Sequence, residues 1–216
     1  CDTFDSASYV LYAKHDRYME EDKTSHLADI RYFSCTCEVC TKFNPKEILS
    51  LESEEKISKI ALHNLFAIKA EVDRVKESIH QGRLWEYVMK KMRAHPKLFE
   101  AIDIFTKNSN YFVSTTPKFK ERSIFLFSKE DQYRPEIVAF KNTIQKFKAR
   151  KKIAFLTRNT TIKPAYLANE YSILKEKFKD SESIQFCFYN PFLGIIPLEL
   201  SDMYPASHYE MPRKEF

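Results

Sequence analysis

Three cysteines fall within six residues in Cys35-Thr-Cys37-Glu-Val-Cys40. Whatever fold this chain adopts must therefore hold three sulfurs close together. His63 follows with twenty-two residues between it and Cys40. Three thiolates and one imidazole make a donor set suited to one tetrahedral zinc ion, and four protein ligands leave no open position for water, so the metal is expected to hold shape rather than do chemistry. The same residues also admit blander readings: reduced bystander cysteines beside a solvent-facing histidine, a disulfide, or an iron–sulfur cluster. His63 sits in a segment, Ser53 to Gln81, that reads as one long helix, with Ser53 as N-cap, Glu54 and Glu55 in the first turn and Gly82 as the stop. Ala61, Leu65, Ile68, Val72, Val75 and Ile79 form an apolar stripe along it, expected to be core or a packing seam. His63 lies roughly 200° around the helix from Ala61, away from that stripe, which leaves its ring free to meet the cysteine loop.

Composition narrows the function classes. With 44% hydrophobic residues in 216, the chain can bury a core. It opens at Cys1 without a secretory pattern and has no apolar run of membrane-spanning length, so neither export nor a membrane is expected. Clustered cysteines fit a reducing compartment, and the expected location is the cytoplasm; Cys1 and Cys187 are read as unpaired, Cys187 as a small strand hydrophobe. The net charge of +5 permits a polyanionic partner. Gly82 and Gly194 are the only glycines, which excludes glycine-rich phosphate loops of the dinucleotide and P-loop kinds.

Along the chain, residues 1–9 read as the carboxyl end of a strand running into a helical turn, and residues 16–30 as a polar loop or hairpin. Helices are expected at 83–94 and from Pro96 through Phe105, and the polar stretch 108–120 as a boundary. Beyond it, apolar runs at 123–127, 152–156 and 184–188 alternate with helical segments at 135–150 and 164–179, the pattern of a small parallel α/β layer. A turn at Gly194 and a short helix begun by Pro197 should follow. The expected domains are 1–107 and 108–216.

The segments Phe4-Asp-Ser-Ala-Ser-Tyr-Val-Leu-Tyr-Ala-Lys14, Asp16-Arg-Tyr-Met19, Ala61-Leu-His-Asn-Leu65 and Gly82-Arg-Leu-Trp-Glu86, together with the spacing of the zinc motif, resemble the archaeal branch of the tRNA-guanine transglycosylases. The resemblance is close over residues 1 to about 105 and looser over 193–212. It implies the C-terminal end of a TIM-type barrel with an inserted zinc site and helices, followed by the small α/β domain. It also implies that Asp5, the aspartate of the Phe-Asp pair, is the nucleophile that attacks the anomeric carbon of ribose. On its own surroundings, Asp5 would be read as a cap or a solvated loop residue.

A whole barrel of this kind needs about 250 residues. The chain is therefore expected to be a truncation, a processed product or one half of a split enzyme, with the second catalytic aspartate and the base pocket elsewhere and a separate N-terminal barrel chain as one conceivable partner. The activity implied by the resemblance exchanges guanine at position 15 in the D arm of tRNA for 7-cyano-7-deazaguanine on the archaeosine pathway, with a homodimer as the complete enzyme. Two other readings stand beside it: a noncatalytic zinc-containing tRNA-binding or scaffold subunit, and an unrelated zinc module. The basic run Lys146 to Lys152 reads first as a solvated helix end, and Arg83, Lys90, Lys91, Arg93 and Lys97 as helix surface. Trp85 is expected in the core, and His15, His26, His80, His95 and His208 receive no role.

Overall fold

In the computed structural model the chain is described over residues 3, 5–158, 160–178 and 183–212. Cys1 and Asp2 lie outside these. Two compact units divide at His95 and Pro96.

The first unit opens with helix α1 (Ser8–Ala13), a two-stranded antiparallel hairpin of β1 (Arg17–Met19) and β2 (Thr24–His26), and a 3-10 turn at Leu27–Asp29. Asp16 enters the hairpin with φ 52°, a left-handed conformation that aspartate tolerates better than most residues, and its carboxylate pairs with Lys56 at 3.1 Å. The cysteine loop leads into α2 (Pro45–Leu49). Asn44 caps this helix reciprocally: its side chain accepts from the Glu47 amide, and the Glu47 carboxylate accepts from the Asn44 amide. Pro45 occupies the first turn, where its missing N–H costs nothing.

Helix α3 spans Ser53–His80 and α4 spans Leu84–Met92. The N-cap of α3 is Glu52 rather than Ser53, one residue earlier than the sequence implies. The core of this unit gathers Ala13, Tyr18, Leu27, Val39, Ile48 and Ile60. On α3 the fully buried positions are Ile60, His63 and Asn64, whereas Leu65 and Ile79 of the expected stripe are 47% and 58% exposed. The covered face is thus the one that meets α1, β1 and α2. Two polar residues lie on it because their hydrogen-bonding groups find partners there. Trp85 is buried, as expected.

In the second unit, α5 (Pro96–Phe99) and α6 (Ile102–Lys107) replace the single helix expected from Pro96, and α7 (Ser109–Thr115) occupies the stretch read as a boundary loop. Strand β3 (Ile124–Phe125) is followed by α8 (Pro135–Lys146), β4 (Ile153–Arg158), α9 (Asn169–Lys177), β5 (Ile184–Asn190), β6 (Gly194–Pro197) and β7 (Tyr209–Glu210). The expected three-strand parallel layer is corrected in one respect. β4 and β5 are parallel, but the neighbour on the other side of β5 is β6, antiparallel, and β3 pairs instead with β7 in a sheet of its own. The reason lies in the short connection through Gly194, whose φ of 86° suits glycine and returns the chain alongside β5. A 3-10 turn at Leu198–Leu200 stands where a helix begun by Pro197 was expected. β5 is buried along nearly its whole length and carries Cys187 inside, as a strand hydrophobe. Beneath these strands, Ile124, Leu126, Ile137, Phe140, Phe186 and Phe188 form the core. The architecture is mixed α/β with small sheets.

Candidate metal centre

The cysteine loop is anchored from below. Val39 is buried in the core between two of the cysteines, and Thr41 and Phe43 return hydrogen bonds to the carbonyls of Cys37 and Val39. This tight turn leaves Cys37 and Cys40 pointing the same way. The amide of Cys37 donates to the Cys35 sulfur at 3.4 Å, the geometry expected where a backbone N–H supports a thiolate.

Helix α3 supplies the fourth donor. The ligand atoms of Cys35, Cys37, Cys40 and His63 all lie within 4.8 Å of one another, and His63 Nδ1 is 3.4 Å from both the Cys37 and the Cys40 sulfur. A tetrahedral ion with bonds of about 2.3 Å to sulfur and about 2.0 Å to nitrogen places such donors about 3.5 Å apart. The cluster formed by these four residues therefore fits one metal ion. The route by which His63 reaches it differs from the expected one: His63 is only 2% exposed and faces the core, so the cysteine loop folds onto the buried side of the helix.

Four residues to which the sequence assigns no role surround the centre. The Nε2–H of His63 donates to the Met19 carbonyl at 2.8 Å, leaving Nδ1 as the free lone pair. Tyr18 stacks on the His63 ring with centroids 3.6 Å apart, and its hydroxyl lies 3.1 Å from the Cys40 sulfur. Phe33 stacks in turn on Tyr18 at 4.9 Å. Asn64 accepts from the Met19 amide at 2.9 Å and donates to the carbonyls of Tyr9 and Arg17 at 3.1 and 3.0 Å. One side chain thereby ties α1, β1 and α3 together. The segments Asp16-Arg-Tyr-Met19 and Ala61-Leu-His-Asn-Leu65 carried the resemblance, so the signal for these groups was present without their roles.

Burial sets the electrostatics. It pushes the Cys40 thiol far above its ordinary range and raises Cys35 as well, so the site opposes bare thiolates and favours a cation that neutralises them. Burial also lowers the pKa of His63, against the raising effect of the Met19 carbonyl, which keeps the ring neutral and able to ligate.

Asp5 is exposed and lies three residues before the first residue of α1. The hydroxyls of Ser6 and Ser8 lie 2.6 Å apart, and the Ser8 amide donates to Ser6 Oγ. The helix that follows is held to α3 through the bond from Asn64 to the Tyr9 carbonyl. Asp5 is therefore placed on the same unit as the metal cluster but does not belong to it.

Three of the basic groups on and just before α4 are paired internally. Lys90 pairs with Glu21 at 2.9 Å, Lys91 with Glu71 at 2.9 Å and Asp22 at 3.2 Å, and Arg83 with Glu86 at 3.4 Å. Of the run Lys146 to Lys152, only Lys146 lies in α8. No described helix is long and apolar enough to cross a membrane.

Residues 1–97 match the family described as queuine tRNA-ribosyltransferase. Over almost its whole length the chain is related to archaeal proteins named tRNA-guanine(15) transglycosylase. It is 34% identical to that of Sulfolobus acidocaldarius over 98% of this chain and 41% of the relative, and 34% identical to that of Saccharolobus solfataricus over 99% and 43%. The Methanocaldococcus jannaschii protein is 35% identical over 98% of this chain and 32% of its own length. The chain thus spans about two fifths or less of these relatives.

Proposed function

We propose that this chain, as a relative of the tRNA-guanine transglycosylases, forms part of an enzyme that exchanges guanine at position 15 of tRNA for 7-cyano-7-deazaguanine. The observation that carries the reading is a match along 98% of the chain to proteins named for that activity, combined with four converged metal donors within the matched family region. In this reading residues 1–107 belong to the C-terminal part of a catalytic barrel, residues 108–216 form the domain that follows it, and the complete enzyme is a cytoplasmic homodimer. The metal is one zinc ion, held by Cys35, Cys37, Cys40 and His63, because three sulfurs and a nitrogen in a closed tetrahedral set suit zinc and leave no site for substrate.

Asp5 is assigned the chemical step. A carboxylate oxygen attacks C1′ of the ribose, the bond from C1′ to the guanine nitrogen breaks, and guanine leaves with the bonding electrons and takes a proton from an acid. The incoming base then attacks C1′, loses its ring proton, and releases the Asp5 carboxylate. Exposure of Asp5 leaves it accessible to a nucleotide, and the hold of Asn64 on α1 fixes the segment that follows it.

The test is incorporation of labelled guanine into a tRNA transcript by this chain, alone and joined to the preceding barrel portion of an archaeal relative. Exchange is expected only from the joined protein, and its absence there, with the metal bound and the fold intact, overturns the reading.

A further inference from the structure

On its outer side the β1–β2 hairpin carries an open pocket of about 630 Å³, lined among others by Arg17, Lys23, His26, Arg31 and Tyr32. That volume lies in the range of small-ligand sites. We propose that it binds the phosphodiester backbone of RNA, with one base stacked on Tyr32. Recognition of RNA in particular rests on the transglycosylase reading above, whereas the affinity for a phosphodiester rests on the pocket alone.

Strand alternation builds the site. Tyr18 points inward to the metal centre and is buried, so its neighbours Arg17 and Met19 face outward. The antiparallel register sets Arg17 opposite His26, and Arg17 Nη1 lies 3.1 Å from His26 Nε2. Neither Arg17 nor Arg31 has a carboxylate within ion-pair distance among the described residues, in contrast to the lysines of α4. Two acids share the wall. Glu20 is engaged by the Ser25 hydroxyl at 2.5 Å and by Lys23 at 3.6 Å, which leaves Asp29 against two guanidinium groups and an imidazole. Guanidinium forks match phosphate oxygens, which is why arginine rather than lysine marks such sites. Tyr32, beside Arg31, is 88% exposed, a ring left in water where burial would have been favourable. An aromatic face next to cations is the pairing that single-stranded nucleic acid uses, one holding the base and the other the backbone.

The experiment measures binding of a tRNA transcript to the 216-residue chain across a salt series. Arg17→Gln with Arg31→Gln should weaken binding and flatten the dependence of log affinity on log salt by roughly 0.7 to 0.9 for each phosphate that is no longer neutralised. Tyr32→Ala should weaken it roughly five- to a hundredfold with the slope unchanged. Lys69→Ala, which removes an exposed lysine already paired with Asp73, should change neither. Bound metal per chain reports folding, and Arg31→Gln alone, outside both strands, repeats the test without disturbing the hairpin. An unchanged slope in the arginine variants, or no RNA binding by the unaltered chain, overturns the proposal. If the variants lose affinity but the joined protein exchanges no guanine, the pocket stands and the transglycosylase reading falls; unchanged binding with active exchange gives the reverse.

Discussion

His63 Nε2 donates its proton to the Met19 carbonyl at 2.8 Å, and that one bond decides which ring nitrogen faces the cysteine sulfurs. The carbonyl belongs to a β-strand and the ring to a helix, so the hairpin and α3 must be docked before the metal donors are complete. A metal ion held by these donors would therefore couple its binding to the folding of the first unit.

The purified chain should hold one zinc ion, and chelation should unfold residues 31–81, since structural zinc contributes on the order of 10 kcal/mol to small sites. Metal analysis and circular dichroism with added chelator check this. His63→Ala should lose tight binding; unchanged affinity would remove His63 from the donor set.

Groups around the donors should matter by degree. Tyr18→Phe keeps the stacked ring but loses the hydroxyl beside the Cys40 sulfur, and outer partners of this kind commonly change affinity about 10- to 100-fold. Competition with a calibrated chelator should place Tyr18→Phe in that range and Tyr18→Ala beyond it. Asn64→Ala should cost about 3 kcal/mol or more, because it strands the Met19 amide and the Tyr9 and Arg17 carbonyls in a buried site. Urea titration of the zinc-loaded protein measures it.

These outer partners mark the limit of what the sequence reveals. The convergence of Cys35, Cys37, Cys40 and His63 was legible because a metal-type donor set has a characteristic spacing along the chain, and the ends of α3 because glutamates and Gly82 are local signals. Asn64 was not, since an asparagine inside a helix reads as an ordinary weak helix former until its distant partners are known. The stripe from Ala61 to Ile79 misplaced the buried face for a related reason. Periodicity finds an apolar face, but the covering elements select Ile60, His63 and Asn64. Helix α7 was missed because Ser-Asn-Tyr-Phe-Val-Ser-Thr contains poor helix formers, and its packing against α8 overrides them. Likewise β3 has the composition of a strand, yet nothing within it chooses β7 as partner.

Acid should destabilise the second unit through Glu136. Burial opposes ionisation of this carboxylate, but the fully buried Arg134, 3.4 Å away, and Lys120 outweigh it and hold its pKa below the ordinary value. A depressed folded-state pKa gives stability that is present above the unfolded-state value of 4.5 and lost as pH falls through the folded one. Glu136→Gln should remove that part of the pH dependence. At neutral pH it should also lower stability, because the fully buried Arg134 loses the Glu136 carboxylate 3.4 Å away. Denaturant unfolding between about pH 7 and about pH 3 tests both statements.

Asp5 and Cys37 should fail in different ways. In the protein joined to a barrel portion, Asp5→Asn should abolish guanine exchange and the covalent tRNA adduct on denaturing gels. Affinity for tRNA should stay nearly unchanged, because binding to a polyanion is spread over many phosphates while a nucleophile acts in the chemical step. The exposed position of Asp5 supports this separation, since among the described residues no buried partner is stranded by the change. Cys37→Ser should instead lose metal, fold and RNA binding together, as Cys37 is one of the four converged sulfur and nitrogen donors and its carbonyl closes the turn at Thr41. An adduct that persists in Asp5→Asn would move the nucleophile to another carboxylate, whereas loss of tRNA affinity in that variant would make Asp5 a binding group rather than the reacting one.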